Sequence, residues 1–471
     1  MNRRDFLKLS LLTASAYGLK WYGLPSITEA QAANTAAPTV VFVFLRGGAD
    51  VLSLFPPRFE DFAGLNNLTD EQRRDYRNHP LVSSRGRNEG MQSTFLFGTE
   101  RFPFGVPTGT IADPGTLALS IPGHPTYFHP AFESLKAELD GDKFALLLHT
   151  GSMNPTRSHF DQADFMESGA IGKKDPTGYL ARASSYLRET LHRQNPIAIG
   201  SQSPHSLRGV DAALLASADE LAEIGRLAGN RVDGSGLTRD QRLELFTNTA
   251  LTDINCESQV YCRSIKGAKK TYGELAAYLN GFQTSATANF EKACELAAKL
   301  SKSPSTPPCM TIDFQGWDSH FAEDPKVQTS ALYGNVSSLA RGLKHLHHNM
   351  SSNAVVVVMS EFGRTLAANG SRGTDHGRGS AMMVMCASGS SKVSRRQIVG
   401  MPTGWDLNRL DGTGDNAALE VKTDFRKIVG EVIQGHLRVP LTAPTGIPGS
   451  GIATVFDGLT SYGAPRNIII V

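Results

Sequence analysis

The sequence predicts an α/β protein with a mostly parallel central sheet and helices on both faces. Three observations carry this. Short apolar runs without polar alternation recur along the chain, as in strands buried on both sides. Stretches with helical periodicity separate them. Four of the runs pass directly into clusters of Gly, Asp, His, Arg and Glu, the positions where the carboxyl edge of such a sheet binds ligands.

In chain order, a leader comes first. Arg3-Arg4 is followed by Asp5-Phe6-Leu7-Lys8, a mild apolar stretch over 9–24, and Ala30-Gln31-Ala32 before Ala33. This is the pattern of a twin-arginine export signal over 1–32, with a small-residue cleavage site. Such a route delivers the folded chain to the periplasm or beyond, engages the twin-arginine translocase on the way, and lets a cofactor be loaded before export. Cleavage would remove Arg3, Arg4, Lys8 and Lys20 against Asp5 and Glu29, leaving the remaining chain, 33–471, near neutrality.

The first strand is expected at 39–45, running into Arg46-Gly47-Gly48-Ala49-Asp50. Residues 55–125 are rich in Pro, Gly and Arg and predict a long excursion over one face. Further strands are expected at 144–149, 196–200, 310–314, 354–359 and 381–386. Helices are expected at 130–140 (closed by Gly141), 158–168, 177–192, 325–348 and 423–435. The Ala/Leu/Glu-rich residues 210–305 predict a helical insertion or cap within one domain.

Composition excludes several classes. With 47 Lys+Arg against 45 Asp+Glu, net charge +2, there is no electrostatic footprint for nucleic acid. Gly 46 and Pro 24 show no period, so neither a repeat array nor collagen is expected. Beyond the leader, no apolar run approaches the ~20 residues that span a bilayer. The five cysteines include no Cys-x-x-Cys and predict optional bridges or buried small hydrophobes.

The polar clusters predict one composite site. Asp318 and His320 stand at i and i+2 after a strand, so both can face one cation. Asp375-His376 in a glycine-flanked loop adds a second such pair, and Asp50 and Glu361 add carboxylates at two more strand ends. That donor set suits a divalent ion: Zn or Mn, with Ca or Mg where carboxylates dominate. In Asn154-Pro155-Thr156-Arg157-Ser158-His159-Phe160-Asp161, Ser158 and Asp161 fit either a helix cap or a hydroxyl nucleophile at a helix N-terminus. Ser152 and Thr156 are the reserve hydroxyls. Arg157 and Arg364 are candidate clamps for a tetrahedral oxyanion, and His159 is a candidate catalytic imidazole. Gly412-Thr413-Gly414-Asp415-Asn416-Ala417 follows no strand and is discounted as a dinucleotide fingerprint.

The order of these motifs resembles a bacterial family of exported proteins of unknown function grouped with the alkaline phosphatase-like and sulfatase-like superfamily. The motifs are Phe-Leu-Arg-Gly-Gly-Ala-Asp, Asn-Pro-Thr-Arg-Ser-His-Phe-Asp, Gly-Trp-Asp-Ser-His, Ser-Glu-Phe-Gly-Arg-Thr and Gly-Thr-Asp-His-Gly-Arg-Gly, across 38–440. The resemblance implies an alkaline phosphatase-like sandwich with a bimetal site on strand ends. By it, Asp50 resembles the first-strand metal Asp, Asp318 and His320 the Asp/His ligands, and His376 the late His ligand. Glu361-Phe362 stands where Asp-His is common. Met153 stands where sulfatases carry the modified Cys, which disfavours a formylglycine sulfatase. The expected activity is metal-dependent hydrolysis of a phosphate or sulfate ester, small-molecule or glycan, by a hydroxyl nucleophile or a metal-activated water. The alternatives are a non-catalytic anion- or glycan-binding protein and a periplasmic accessory factor.

Overall fold

The computed structural model describes residues 36–56, 119, 121–200, 202–210, 212–215, 278–279, 289–321, 323, 329–371, 373–395, 404–407, 409–444, 447, 451–459 and 467–469. The leader at 1–32, most of the excursion at 55–125 and most of 210–305 lie outside them, as do Cys256 and Cys262.

In chain order the elements are β1 (Thr39–Leu45), α1 (Val51–Leu54), a 3-10 turn at Pro130–Leu135 leading into α2 (Lys136–Asp140), and β2 (Phe144–Gly151). There follow α3 (His159–Ser168), α4 (Tyr179–Leu191), β3 (Ile197–Ile199), β4 (Ala213–Leu215), α5 (Phe290–Leu300), β5 (Cys309–Phe314) and α6 (Ala331–Asn349). The rest are β6 (Ala354–Ser360), β7 (Arg364–Ala368), β8 (Thr374–His376), β9 (Ser380–Cys386), β10 (Leu410–Asp411), β11 (Ala418–Leu419), β12 (Thr423–Asp424) and α7 (Phe425–Gly435).

Eight strands form the main sheet, in the order β12-β2-β9-β6-β1-β5-β3-β4. Only β9 opposes the others, pairing antiparallel with both β2 and β6. The strands alternate between two apolar layers because successive side chains leave opposite faces. Val41, Val43 and Leu45 of β1 and Val356 and Val358 of β6 pack with Leu296 of α5 and Leu339, Leu343 and Leu346 of α6. Val40, Phe42 and Phe44 of β1 and Val355 and Val357 of β6 pack with Leu180 and Leu187 of α4 and Ile428, Val429 and Val432 of α7. The α/β sandwich expected from the apolar runs is therefore present. Each such side chain contributes about 1.5–3 kcal/mol by leaving water.

Within the expected insertion, β4 is the edge strand of the main sheet and α5 packs on one face of it. Cys294, Cys309 and Cys386 are free and buried. Among the described residues, no helix is long and apolar enough to cross a membrane.

Registers matter most at the centre. β1 pairs in parallel with β5 and with β6, and Leu45 stands level with Phe314 on one side and Ser360 on the other. The segments 46–50, 315–320 and 361–364 therefore leave the sheet at one level, side by side. A second, antiparallel sheet, β10-β11-β7-β8, lies beyond this edge, and its β7–β8 pairing sets Arg364 opposite His376.

Candidate metal centre

Close approach of the three exits depends on glycine. A Cβ on Gly47, at φ 120°, would stand 2.4 Å from the Asp318 nitrogen, and one on Gly48, at φ 70°, would stand 2.2 Å from the Phe362 ring. Only glycine fits both the left-handed conformation and the space. The segment after β1 thus lies directly against those after β5 and β6.

Four side chains meet there. One ligand atom each from His159, Asp318, His320 and His376 lies within 4.8 Å of the others. Asp318 Oδ1 is 3.4 Å from His159 Nε2, 3.2 Å from His320 Nε2 and 3.5 Å from His376 Nε2. The Nε2 atoms of His320 and His376 are 2.8 Å apart.

Each ring is oriented through its other nitrogen. His159 Nδ1 lies 2.9 Å from Glu361 Oε1, His320 Nδ1 lies 2.9 Å from Asp375 Oδ1, and His376 Nδ1 lies 2.6 Å from the Arg157 carbonyl oxygen. Carboxylate and carbonyl oxygens only accept, so each Nδ1 carries the hydrogen and, in the neutral ring, each Nε2 turns a lone pair inward. His159 Nε2 is buried and has no hydrogen-bond partner. Three lone pairs and a carboxylate oxygen facing one point, each imidazole backed by an acceptor, is a donor set that fits a divalent cation of the Zn type.

The surrounding electrostatics hold the acceptors ionised. Burial pushes Glu361 up, but hydrogen bonds from His159 and from the Gly47 and Gly48 backbone outweigh it and keep the carboxyl below its ordinary range. For Asp318 burial is likewise outweighed, by the Arg364 guanidinium and the charges of His159 and His320. Asp375 is lowered mainly by its hydrogen bond from Asn369. The bond to Glu361 holds the His159 imidazole above its ordinary value, whereas burial holds that of His376 below.

Several expected roles change. Glu361 and Asp375, expected as ligands, stand one layer out, behind His159 and His320. His159, expected as a catalytic imidazole, is one of the four converging groups. Asp50 is buried at the start of α1, where its backbone carbonyl accepts from Ser53 and Leu54, and it is not among the four.

Arg364, expected to clamp an oxyanion, is buried. It donates to the carbonyls of Gly48 (2.7 Å), Thr374 (2.9 Å), Trp317 (3.3 Å) and Gly47, and to Asp318 Oδ1. It ties three segments together and positions Asp318.

Ser158, expected as a nucleophile or cap, is the N-cap of α3, its Oγ accepting from the Asp161 N–H at 3.4 Å. Thr156 Oγ1 accepts from the Ser158 N–H at 3.3 Å and Ser152 Oγ from the Asn154 N–H at 3.3 Å. All three hydroxyls turn back on their own loop.

Two features were not read from the sequence. Phe362 is a buried wedge, its ring 4.8 Å from that of His159 and 4.9 Å from that of His376. The 410–416 turn holds two guanidiniums: Asn416 accepts from Arg157 through its backbone oxygen at 2.6 Å, and Asp411 pairs with Arg378. The discounted glycine-rich motif is thus a short 3-10 turn, Gly414–Asn416, that anchors Arg157.

No curated protein matches the chain. The C-terminal periplasmic domain of EcEptC from Escherichia coli, in complex with Zn, is similar at 9% identity and TM-score 0.32, over 93% of each chain. A protein in the alkaline phosphatase superfamily from Vibrio parahaemolyticus is similar at 9% identity and TM-score 0.28, over 88% of this chain and 81% of that one. Residues 161–390, which carry Asp318, His320 and His376, match the model of a family described as "Protein of unknown function (DUF1501)".

Proposed function

We propose that the chain is an exported, metal-dependent hydrolase of a phosphate or sulfate ester with an alkaline phosphatase-like fold. The observation that carries this is the convergence of His159, His320 and His376 through Nε2 on Asp318 Oδ1, at the carboxyl edge of a parallel sheet. The motif order and the twin-arginine leader supply the ester class and the periplasmic destination.

His159, Asp318, His320 and His376 would hold the ion. A divalent cation there supplies Lewis-acid polarisation of an ester oxygen and lowers the pKa of water. The chain's own residues do the positioning. Glu361, Asp375 and the Arg157 carbonyl fix the imidazole tautomers, and Arg364 fixes Asp318. Arg157 and Arg378 lie close enough that Arg378, after burial, contributes to pushing the Arg157 guanidinium down. Arg378 is neutralised by Asp411, whereas Arg157 donates to the neutral Asn416, so the Arg157 guanidinium leaves a positive charge that favours an anionic substrate. In hydrolysis, water adds to phosphorus or sulfur as the bond to the alcohol oxygen breaks, and the alcohol leaves with the proton that water gives up. Ser152, Thr156 and Ser158 each accept a nearby backbone N–H, which favours water over a side-chain hydroxyl as the nucleophile.

The same three hydroxyls favour a second reading, a non-catalytic anion- or glycan-binding protein. One experiment separates the two: elemental analysis of the purified protein, with release of phosphate or sulfate from a panel of esters. Bound metal with ester turnover, both lost in His320→Ala, supports the hydrolase. Bound metal with no release from any ester favours the binding protein.

A further inference from the structure

The described surface has few large exposed hydrophobics: Met153 (53%), Phe160 (85%), Leu191 (57%) and Phe321 (74%). Their placement is not scattered. Phe160 directly follows the ligand His159 and Phe321 directly follows the ligand His320, so each Cα is one chain step, about 3.8 Å, from that of a converging histidine. Met153 sits in the loop from β2 to α3, whose Arg157 carbonyl holds His376. Leu191 ends α4, the helix that leads back to the start of β3, and so belongs to the opposite edge of the sheet.

The same edge carries the positive charge of Arg157, while that of Arg378 is taken up by Asp411. Arg157 and Arg378 are fixed by Asn416 and Asp411 of one turn, and Arg378 stands two residues beyond His376. Exposed apolar side chains thus adjoin two of the converging histidines in the chain, at Phe160 and Phe321, and Met153 and the Arg157 guanidinium belong to the loop that leads into α3. Exposed apolar groups at one location mark a surface that another apolar body covers.

From this we infer that the site takes anionic esters whose alcohol is large and apolar, with the phosphate or sulfate at the histidine cluster and Arg157, and the alcohol against Phe160, Phe321 and Met153. The inference rests on the ester-site assignment proposed above. A long alkyl alcohol, as in a lipid, and a flat aryl alcohol share this chemistry.

The test is calorimetric titration of the purified, zinc-loaded full chain with non-hydrolysable methyl-, octyl- and naphthylphosphonate. Octylphosphonate should bind about tenfold or more tighter than methylphosphonate, since each buried CH₂ at ~0.8 kcal/mol gives about fourfold. A gain for octyl points to a lipid-like alcohol and a gain only for naphthyl to an aryl one; either supports the inference. Equal affinity for all three overturns it. Phe160→Ser with Phe321→Ser should shrink the gain, whereas Leu191→Ser should leave it intact. A gain unaltered by the paired serines overturns the placement. A protein that prefers octylphosphonate but releases no phosphate or sulfate from octyl esters keeps this inference and sinks the hydrolase. One that hydrolyses methyl and octyl esters equally and binds the phosphonates equally does the reverse.

Discussion

His320 and His376 face each other through Nε2 at 2.8 Å, while the Nδ1 of each is engaged by an acceptor, Asp375 in one case and the Arg157 carbonyl in the other. Two inward lone pairs at that separation repel unless a shared proton or a metal ion lies between them, and with the Asp318 carboxylate beside them a divalent ion satisfies all the groups at once. The protein should therefore purify with about one divalent ion per chain, read by elemental analysis. Chelation should lower the melting temperature, because an ion at 100 times its Kd stabilises by about 2.7 kcal/mol. Retention of the same metal content by His159→Ala, His320→Ala and His376→Ala would sink the centre.

The outer acceptors should matter through the ion rather than by touching it. Glu361→Ala should weaken metal affinity by roughly 10–100-fold. It should also cost about 1–3 kcal/mol of stability, because it strands the Gly47 N–H, which donates to Glu361 at 2.8 Å. Asp375 is more exposed, so Asp375→Ala should have the smaller effect on stability. Competition against a chromogenic chelator and a denaturant titration measure the two quantities separately.

Ser158→Ala should cost ~0.5–2 kcal/mol, and Ser158→Asp should restore most of it, as at other helix caps. Ester turnover, where present, should persist in both. Abolition of turnover in a fully folded, fully metallated Ser158→Ala would return the hydroxyl to the role of nucleophile.

His436 sets an acid limb. Burial, together with the charges of Lys392 and Arg438, holds its imidazole down at about 4, while Nε2 faces the carbonyls of Thr39 and Asn353 at 3.1 Å each. The unfolded state then binds the extra proton between pH 6.5 and about 4, so stability from this group is present above pH 6.5 and falls as pH drops through that window. The loss is about 3 kcal/mol, taking about 1.4 kcal/mol per pH unit. Denaturation midpoints at pH 7 and pH 5 should converge in His436→Asn.

Arg3→Lys with Arg4→Lys should hold the precursor in the cytoplasm, since the translocase reads the guanidinium pair. Fractionation and immunoblotting check it. Unchanged periplasmic yield would remove the export assignment.

Six strands of the main sheet are legible because buried strands read as unbroken apolar runs, and 354–359 or 381–386 admits little else, whereas β4 falls in the expected helical insertion and β12 in the expected helix 423–435. Direction was not legible: the run at 381–386 is β9, which opposes its neighbours, and periodicity carries no sign. The second sheet is not legible because β8, β10 and β11 have two or three residues each, too short for a pattern, and β7 begins within the polar cluster that ends at Arg364. At the site, Asp318 and His320 stand out by residue type after a strand end, and His376 by its pairing with Asp375 between glycines, in a segment that is β8 rather than a loop. His159 did not stand out as a ligand, because the first position of a helix beside a capping serine explains it equally well. The clue was its place in the loop after β2. Which carboxylates face the point of convergence and which stand behind an imidazole depends on angstroms that spacing does not encode, and Glu361 and Asp375 stand behind His159 and His320.

The position of β1 has a consequence for how the chain is made. It is the fourth strand from one edge, yet its neighbours β5 and β6 begin at Cys309 and Ala354. At translation speeds of about 5–20 residues per second, the nascent strand waits tens of seconds for a partner. Meanwhile Val40-Val41-Phe42-Val43-Phe44-Leu45 presents unpaired backbone and two apolar faces, an aggregation hazard. Early emergence with late burial makes this segment the natural target of a holdase, and a pulse-chase of chains truncated before Ala354 should recover them bound to one.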